Sequence, residues 1–227
     1  MKKKFLCLAL MICLLFGLTA CGKSKFNLLD HLIEERNNLF TAEDETYCVT
    51  FSSGRRETNY NLDGVKNEMV DFGVLTLARL DRNPLAVDTY NYIITINGQE
   101  FSGQLTSSEY DNTYSVDIGA NASNDATVSV KINFTGNSFE KQLTATSNNF
   151  AVDMNGAVKI ANDELKSELK NLTANKNSVE AVVKIVKDYS SSEVQSYYWY
   201  IGVVSTNGDT LGILIDASNG SVIAKKA

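Results

Sequence analysis

The sequence predicts a mainly β protein with an α+β C-terminal part: an antiparallel β-sandwich, then a helix packed on a small antiparallel sheet. Three observations support this. Between residues 47 and 150 most segments alternate apolar and polar residues, as strands with one buried and one wet face do. Asn-Gly pairs, which favour tight hairpins, separate several of the segments in the chain. After residue 150 the apolar spacing becomes helical, before alternation returns.

The first 20 residues have the pattern of a secretory signal peptide. Three lysines follow Met1, and the run from Phe5 to Leu18 is apolar and uncharged. This run is shorter than the roughly 20 residues that a membrane-spanning helix needs. Thr19 and Ala20 are small residues that suit a signal peptidase, and Cys21 follows them directly.

The segment Leu18-Thr19-Ala20-Cys21 resembles the lipobox of bacterial lipoproteins. The resemblance implies that a diacylglyceryl group is attached to the sulfur of Cys21 and that residues 1–20 are removed. Two acyl chains make a membrane anchor stable. The membrane is then a partner through this lipid anchor, and the expected location is the extracytoplasmic face of the cell membrane, at a Gram-positive surface. The alternative is an ordinary secretory signal followed by a chance cysteine.

Charge and cysteine content narrow the function further. The full chain has a net charge of −6, and removal of residues 1–20 with their three lysines leaves 18 basic and 27 acidic side chains, a net of −9. Nucleic acid is therefore not an expected partner, because phosphate binding needs a basic patch. Cys48 is the one cysteine left after the signal and the lipidated Cys21, so the sequence predicts no intramolecular disulfide.

Residues 21–40 are predicted to be a tether followed by a short helix. The stretch Gly22 to Asn27 is short and polar. Leucines and an isoleucine then recur at helical spacing with charged residues between them, which predicts an amphipathic helix over about 27–39.

Residues 41–150 are assigned to the β-sandwich domain. The clearest alternation is Val128 to Phe134, and Phe72 to Leu80 is more apolar than the other segments, as a central strand is. Asn97-Gly98 lies between two alternating segments and predicts a hairpin. The series of short strands is similar in architecture to the immunoglobulin-like class, although the cysteine pair and core tryptophan of that class are absent.

Residues 151–227 are assigned to the α+β domain. Apolar spacing predicts a helix over about 156–171, and strands are predicted over 179–189, 197–205, 210–216 and 222–224. This order, with Tyr198-Trp199-Tyr200 in one strand and the ending Ile215 to Ile223, resembles the PepSY domain family. The resemblance implies a small extracytoplasmic module that binds or restrains peptidases, and it transfers no functional residue.

Few side chains are candidates for catalysis, and we expect no cofactor, no metal site and no enzymatic activity. His31 is the single histidine, so a site with several histidine ligands is excluded. A thiol hydrolase that uses Cys48 with His31 is the enzymatic alternative, although no surrounding motif lowers the pKa of the thiol. Carboxylate pairs have no spacing that places them across a bond.

The aromatic cluster Tyr197, Tyr198, Trp199 and Tyr200 is the candidate ligand-binding site. On a strand, Tyr198 and Tyr200 face one way and the other two residues face the opposite way, so one pair is expected in the core and one at the surface. Aromatic rings with a polar atom suit a peptide or a glycan. The leading hypothesis is a non-enzymatic surface protein that binds a protein, a peptide or an envelope polymer, and peptidase modulation is the second.

Overall fold

The computed structural model describes residues 26–58, 61, 63–80, 89–108, 113–174, 178–188 and 196–226. The strands are β1 (Leu32–Glu43), β2 (Tyr47–Glu57), β3 (Met69–Arg79), β4 (Asn91–Ile96), β5 (Gln99–Gln104), β6 (Thr106–Ser107), β7 (Thr113–Ile118), β8 (Val128–Phe134), β9 (Asn137–Ala145), β10 (Val179–Lys187), β11 (Tyr197–Ser205), β12 (Thr210–Asp216) and β13 (Val222–Lys226). The helices are α1 (Met154–Glu164) and α2 (Lys166–Leu172), and single 3-10 turns span Leu28–His31 and Thr146–Asn149. The prediction of a mainly β protein is confirmed.

The strands form one continuous, nearly closed sheet with a branch. The main path runs β13-β12-β11-β10-β1-β2-β3-β7-β6, and the branch β9-β8-β4-β5 joins it at β1. All pairs are antiparallel except β1 with β10, which are parallel. Strands from both sides of the predicted domain boundary at residue 150 therefore share hydrogen bonds in one sheet.

Strand β1 carries the branch because it changes partners along its length. Its first half, up to Arg36, pairs with β10, and Phe40 and Thr41 pair with β9. The other edge of β1 pairs with β2 throughout, with a register shift between Arg36 and Asn38. Between the two partners, the backbone N–H of Leu39 donates a hydrogen bond to Ser147 Oγ at 3.0 Å. At the branch, the backbone N–H of Leu39 thus has a side-chain hydrogen-bond partner in place of a strand partner.

Two hydrophobic cores lie on either side of β1. Leu39 packs in a C-terminal core with the helices and with strands β10 to β12, whereas the next residue, Phe40, packs in an N-terminal core between strands β2–β3 and β4–β8. Both side chains are almost fully buried, at 2% and 0% exposed. Because successive side chains of a strand point to opposite faces, one strand forms a wall of both cores.

The helix expected over about 27–39 is wrong, since this segment is a 3-10 turn followed by β1. The apolar residues at helical spacing do become buried, but the strand buries them in different places. Leu32 and Leu39 enter the C-terminal core, whereas the acidic Glu34 is 7% exposed beside Arg36. A strand with a core on each of its two faces buries residues of both faces, so its sequence does not alternate. Distant pairing with β10 overrides the local helical pattern.

The helix expected over about 156–171 is present as α1 and α2, which meet at Leu165. Asp153 caps α1, since its Oδ1 accepts a hydrogen bond from the N–H of Gly156 at 2.7 Å. The helices pack on one face of β10–β13 and bury Ala157, Val158, Ala161, Leu165, Leu169 and Leu172. The opposite face of these strands carries no helix in the described part of the chain.

The hairpin expected at Asn97-Gly98 joins β4 to β5. Both residues have positive φ, at 49° and 86°, which is the conformation that this turn type requires.

We predict that Gly54→Ala strongly destabilises the protein. Gly54 lies opposite the register shift of β1, and a Cβ atom there would be 1.9 Å from the carbonyl oxygen of Glu35, which is backbone and cannot turn away. We expect a loss of unfolding free energy of at least about 3 kcal/mol, measured by urea denaturation. The control is Gly119→Ala, where a Cβ atom meets nothing within 4 Å. Equal stability of the two variants would contradict the prediction.

Candidate binding groove

The four aromatic residues of β11 divide between the two faces of the sheet. Trp199 is 2% exposed in the C-terminal core, and its Nε1 donates a hydrogen bond to the carbonyl oxygen of Val152 at 2.8 Å. Tyr197 packs against the same core, beside Phe150. Tyr198 and Tyr200 alternate with these residues and lie half-buried on the face that the helices do not cover. Of the proposed cluster, two rings are therefore available to a ligand.

Tyr200 lies across a pair of glycines. Gly202 and Gly212 are directly opposite each other on β11 and β12. A Cβ atom on Gly202 would be 2.9 Å from the Tyr200 hydroxyl oxygen, and one on Gly212 would be 3.7 Å from the Tyr200 ring. Because the two glycines have no side chain, the Tyr200 ring lies along the surface of the sheet, and a trough remains beside it. A glycine inside a strand commonly marks such a close approach.

We call this trough the Tyr200 groove. It has a volume of about 490 Å³ and is bounded by β10, β11, β12 and the edge strand β13. The lining is mostly apolar: the side chains that line it are Val182, Tyr200, Val204, Leu214 and Ala224, with Thr210, Lys225 and Lys226. Val203, Leu211 and Ile213 also border the groove, but their side chains lie in the C-terminal core. Its volume lies within the range of about 300–1,000 Å³ that is typical of ligand sites.

Lysines are the charged residues at the groove. Lys226 is exposed and lines it, and the Nζ atom of Lys184 lies 5.4 Å from the centre of the Tyr200 ring. Burial lowers the pKa of Lys184, and repulsion by Arg36 lowers it further. Lys225 lines the groove too but is engaged by Glu164, at 2.6 Å. The described lining contains no carboxylate, so the groove favours negatively charged ligand groups.

Of the residues at the groove, Tyr200 was predicted from the sequence, whereas Gly202, Gly212 and Lys184 were not. The two glycines interrupt otherwise apolar strands, which is a signal that a sequence can show. Lys184 carries no such signal, because its neighbours depend on the pairing of β10 with β1 and β11.

Cys48 is buried beside a lysine. Its Sγ atom is 3.1 Å from Lys187 Nζ, which also forms an ion pair with Glu43 at 2.9 Å. Burial raises the pKa of the Cys48 thiol, and Lys187 offsets only part of this effect. Burial also disfavours the Lys187 ammonium, but Cys48 and Glu43 outweigh it and raise the pKa of Lys187. The lysine is thus a charged partner, and the thiol is protonated at neutral pH.

His31 does not approach Cys48. Cys48 pairs with Glu43 at the last residue of β1, whereas His31 precedes the first residue of that 12-residue strand and stacks on Phe26 at 4.7 Å. The length of the strand between them is roughly 35 Å. The structure therefore does not bring together the thiol and the base that the hydrolase hypothesis needs.

Two buried glutamates form an acidic pair elsewhere. Glu57 is 0% exposed and its Oε1 accepts a hydrogen bond from the N–H of Asn67, whereas Glu180 accepts one from the N–H of Gly64. The Oε2 atom of each has no partner. Burial raises the pKa of Glu180, and the charges of Glu57 and Asp63 raise it further.

The described residues contain neither a metal-binding cluster nor a membrane-spanning helix. Within these residues, no group of three or more His, Cys, Asp or Glu side chains is placed to hold a metal ion. None of the described helices is long and apolar enough to cross a membrane. Cys21, the predicted lipidation site, and residues 1–20 lie outside the described residues.

We predict that the Cys48 thiol reacts slowly in the folded protein. In a chain whose other cysteines are serines, alkylation by iodoacetamide at neutral pH should be slow and should accelerate when urea unfolds the protein, because only the thiolate reacts. His31→Ala should leave the rate unchanged. Fast labelling that falls in His31→Ala would contradict this prediction and would support the hydrolase.

We predict that Glu180→Gln stabilises the protein at high pH. A raised pKa means that the folded state binds a proton that the unfolded chain has released, so ionised Glu180 costs stability above its folded pKa. The glutamine keeps an acceptor for Gly64. The rise in melting temperature should be largest near about pH 8 and should vanish as the pH falls towards 4.5, the ordinary value for glutamate.

Glu140→Gln is the control for this pH dependence, because Glu140 is exposed and pairs with Lys131 at the surface. Its effect on the melting temperature should be small. A Glu180→Gln effect that stays constant with pH would contradict the assignment.

Comparison with known proteins adds no relative to this description: no family model, no curated protein and no solved structure matches the chain. The function is therefore inferred from the geometry and chemistry of the site itself.

Proposed function

We propose that this chain is a non-enzymatic binding protein, held by a lipid on Cys21 at the extracytoplasmic face of the cell membrane, and that the Tyr200 groove is its binding site. The sequence supports the anchor through the segment Leu18-Thr19-Ala20-Cys21. The observation that carries the binding function is the apolar, uncovered sheet face on which Tyr200 lies over Gly202 and Gly212.

Exposure of such an apolar face to water is unfavourable in free energy. Valine, leucine and tyrosine side chains on a solvent-exposed sheet face lose the favourable transfer out of water, about 25 cal/mol per Å² of apolar surface. Covering them with a partner recovers that free energy. Apolar surface concentrated in a groove with a polar rim is typical of interaction sites.

The occupant we propose is an extended peptide segment of another protein, with apolar side chains and at least one carboxylate. The apolar side chains match Val204, Leu214 and the Tyr200 ring, and the carboxylate matches Lys226 and Lys184 at the rim. Among the described strands β13 is the last of the sheet order, so its outer edge offers backbone groups that no described strand pairs to an extended segment. Restraint of a peptidase, which the PepSY resemblance implies, is one form that such binding can take.

The finer architecture belongs to the same proposal. We infer a sandwich of immunoglobulin-like class for about 41–150, supported by an N-terminal core that takes side chains from β2–β3 on one side and β4–β8 on the other. A PepSY-like α+β module for about 151–227 is supported by α1 and α2 packed on β10–β13.

We predict that Gly212→Val abolishes peptide binding while the protein stays folded. The probes are synthetic decapeptides in which valine or leucine alternates with aspartate, and matched peptides with lysine in place of aspartate. Wild-type protein should bind the acidic peptides alone. Valine is a good strand residue, and its side chain fills the groove beside the Tyr200 ring. Binding is measured by fluorescence anisotropy, and folding by circular dichroism.

Ile223→Ala is the matched control, because Ile223 is 51% exposed on the same edge strand but does not line the groove. It should bind the acidic peptides as the wild type does. Equal binding of acidic and basic peptides, or unchanged binding in Gly212→Val, would overturn the groove as the site.

A further inference from the structure

A second concave surface lies where β10 separates from β1. Beyond Arg36 the two strands no longer pair, and the end of β10 stands beside the open face of β2, β3 and β7. The resulting cleft has a volume of about 360 Å³. We call it the fork cleft. One of its lining residues, Lys184, also borders the Tyr200 groove, and its other lining residues do not line that groove.

The floor of the fork cleft is a row of hydroxyl groups. Thr50 on β2 lies directly opposite Thr76 on β3, which lies directly opposite Ser115 on β7. Directly opposite residues of antiparallel strands share a face. Ser52, Ser108 and Thr113 add three further hydroxyl groups to the lining. A hydroxyl group can both donate and accept a hydrogen bond.

The hydroxyl group of Ser52 indicates that the cleft has a binding role in addition to a structural one. It is 7% exposed, and its Oγ atom has no hydrogen-bond partner. Its neighbours across the two strand pairs are Leu39 and Val74, which have no polar side-chain atoms. A buried hydroxyl without a partner is costly, and such groups in native proteins need a reason. A polar ligand in the cleft supplies the missing partner.

Two cations give the cleft its charge. Arg36 and Lys184 lie opposite each other in the register of β1 and β10, and both line the cleft. Arg36 donates from Nε to Glu34 at 2.8 Å, which leaves the other guanidinium donors for a ligand. Lys184 forms no ion pair or hydrogen bond with the described residues, and its charge faces that of Arg36. Lys187, the third cation, is engaged by Glu43 and Cys48.

Hydroxyl groups that both donate and accept suit the hydroxyl groups of a sugar, and the paired cations suit an acidic substituent. We propose that the fork cleft binds an anionic sugar unit, with Ser52 and the Thr50–Thr76–Ser115 row contacting its hydroxyl groups and Arg36 and Lys184 contacting its carboxylate or phosphate. The cleft volume is of the size typical of small-ligand sites. This proposal does not rest on the Tyr200 groove, although Lys184 borders both surfaces.

Calorimetric titration of the purified protein tests the site with four probes: sodium glucuronate, glucose 6-phosphate, glucose and acetate. Glucuronate or glucose 6-phosphate should bind, and the tighter of the two identifies the acidic group. Glucose and acetate each lack half of the recognised chemistry and should bind at least about 10-fold more weakly. Absence of binding by both anionic sugars, or acetate binding as tightly as they do, would overturn the proposal.

Two substitutions separate a binding role from a structural one. Ser52→Ala should weaken binding of the anionic sugar about 3- to 10-fold without lowering the melting temperature, because the hydroxyl has no partner to lose in the free protein. Lys184→Met should weaken binding at least about 10-fold and reduce its salt dependence. A Ser52→Ala protein that melts earlier but binds unchanged would show that the hydroxyl is structural and would overturn its role.

Matched controls lie outside the cleft. Ser129→Ala and Lys131→Gln, both on β8, should leave sugar binding unchanged. Loss of sugar binding in either of these variants would overturn the assignment to the cleft.

Discussion

The rest of the structure depends on the hydrogen bonding of a single strand, β1, to three partners. One edge of β1 pairs with β2, and the other edge pairs first with β10 and then with β9. A strand has only two edges, so the change from β10 to β9 forces the sheet to divide near Leu39. The backbone donor exposed by the division is taken by Ser147 Oγ at 3.0 Å, which keeps the fork free of an unpaired buried group at this position.

Both proposed sites follow from this division. Because β10 leaves β1 after Arg36, its end projects over the face of β2 and β3 and encloses the fork cleft. Because β10 continues the sheet outward, β11, β12 and β13 extend beyond the N-terminal core, and none of the described residues forms a layer above their outer face. The helices bury the inner face alone. The change of pairing partner along β1 thus produces both surfaces: a polar cleft at the fork and an apolar groove at the sheet edge.

The local features of the fold were readable from the sequence, whereas its long-range pairing was not. Alternation predicted the strands of both halves, and Asn97-Gly98 predicted a hairpin because its turn chemistry is contained in two adjacent residues. The segment after Asn27 was predicted to be a helix because a strand buried on both faces, as β1 is at Leu39 and Phe40, has no alternation to show. Within the sites, Tyr200 was recognised by residue type. Ser52 and Lys184 were not. Ser52 looks like any polar strand residue until its lack of a hydrogen-bond partner is known, and Lys184 lies opposite Arg36, 148 residues away in the chain, in a parallel pairing that no local signal encodes.

The distribution of charge gives the two sites their selectivity. The chain carries a net charge of −6, so its field repels anions at a distance, and an anion is held only where cations face it at short range. At the fork, Arg36 and Lys184 face each other, and at the groove Lys226 and Lys184 border an apolar floor. A long polyanion gains little from so few cations against that repulsion. A ligand with a single acidic group makes the local contact with the cations and avoids most of the repulsion. The rest of such a ligand is neutral, and it must match the surface around the cations: hydroxyl groups match the proposed cleft, and apolar side chains match the proposed groove. The neutral part of each ligand, and not its charge, therefore decides which site it enters.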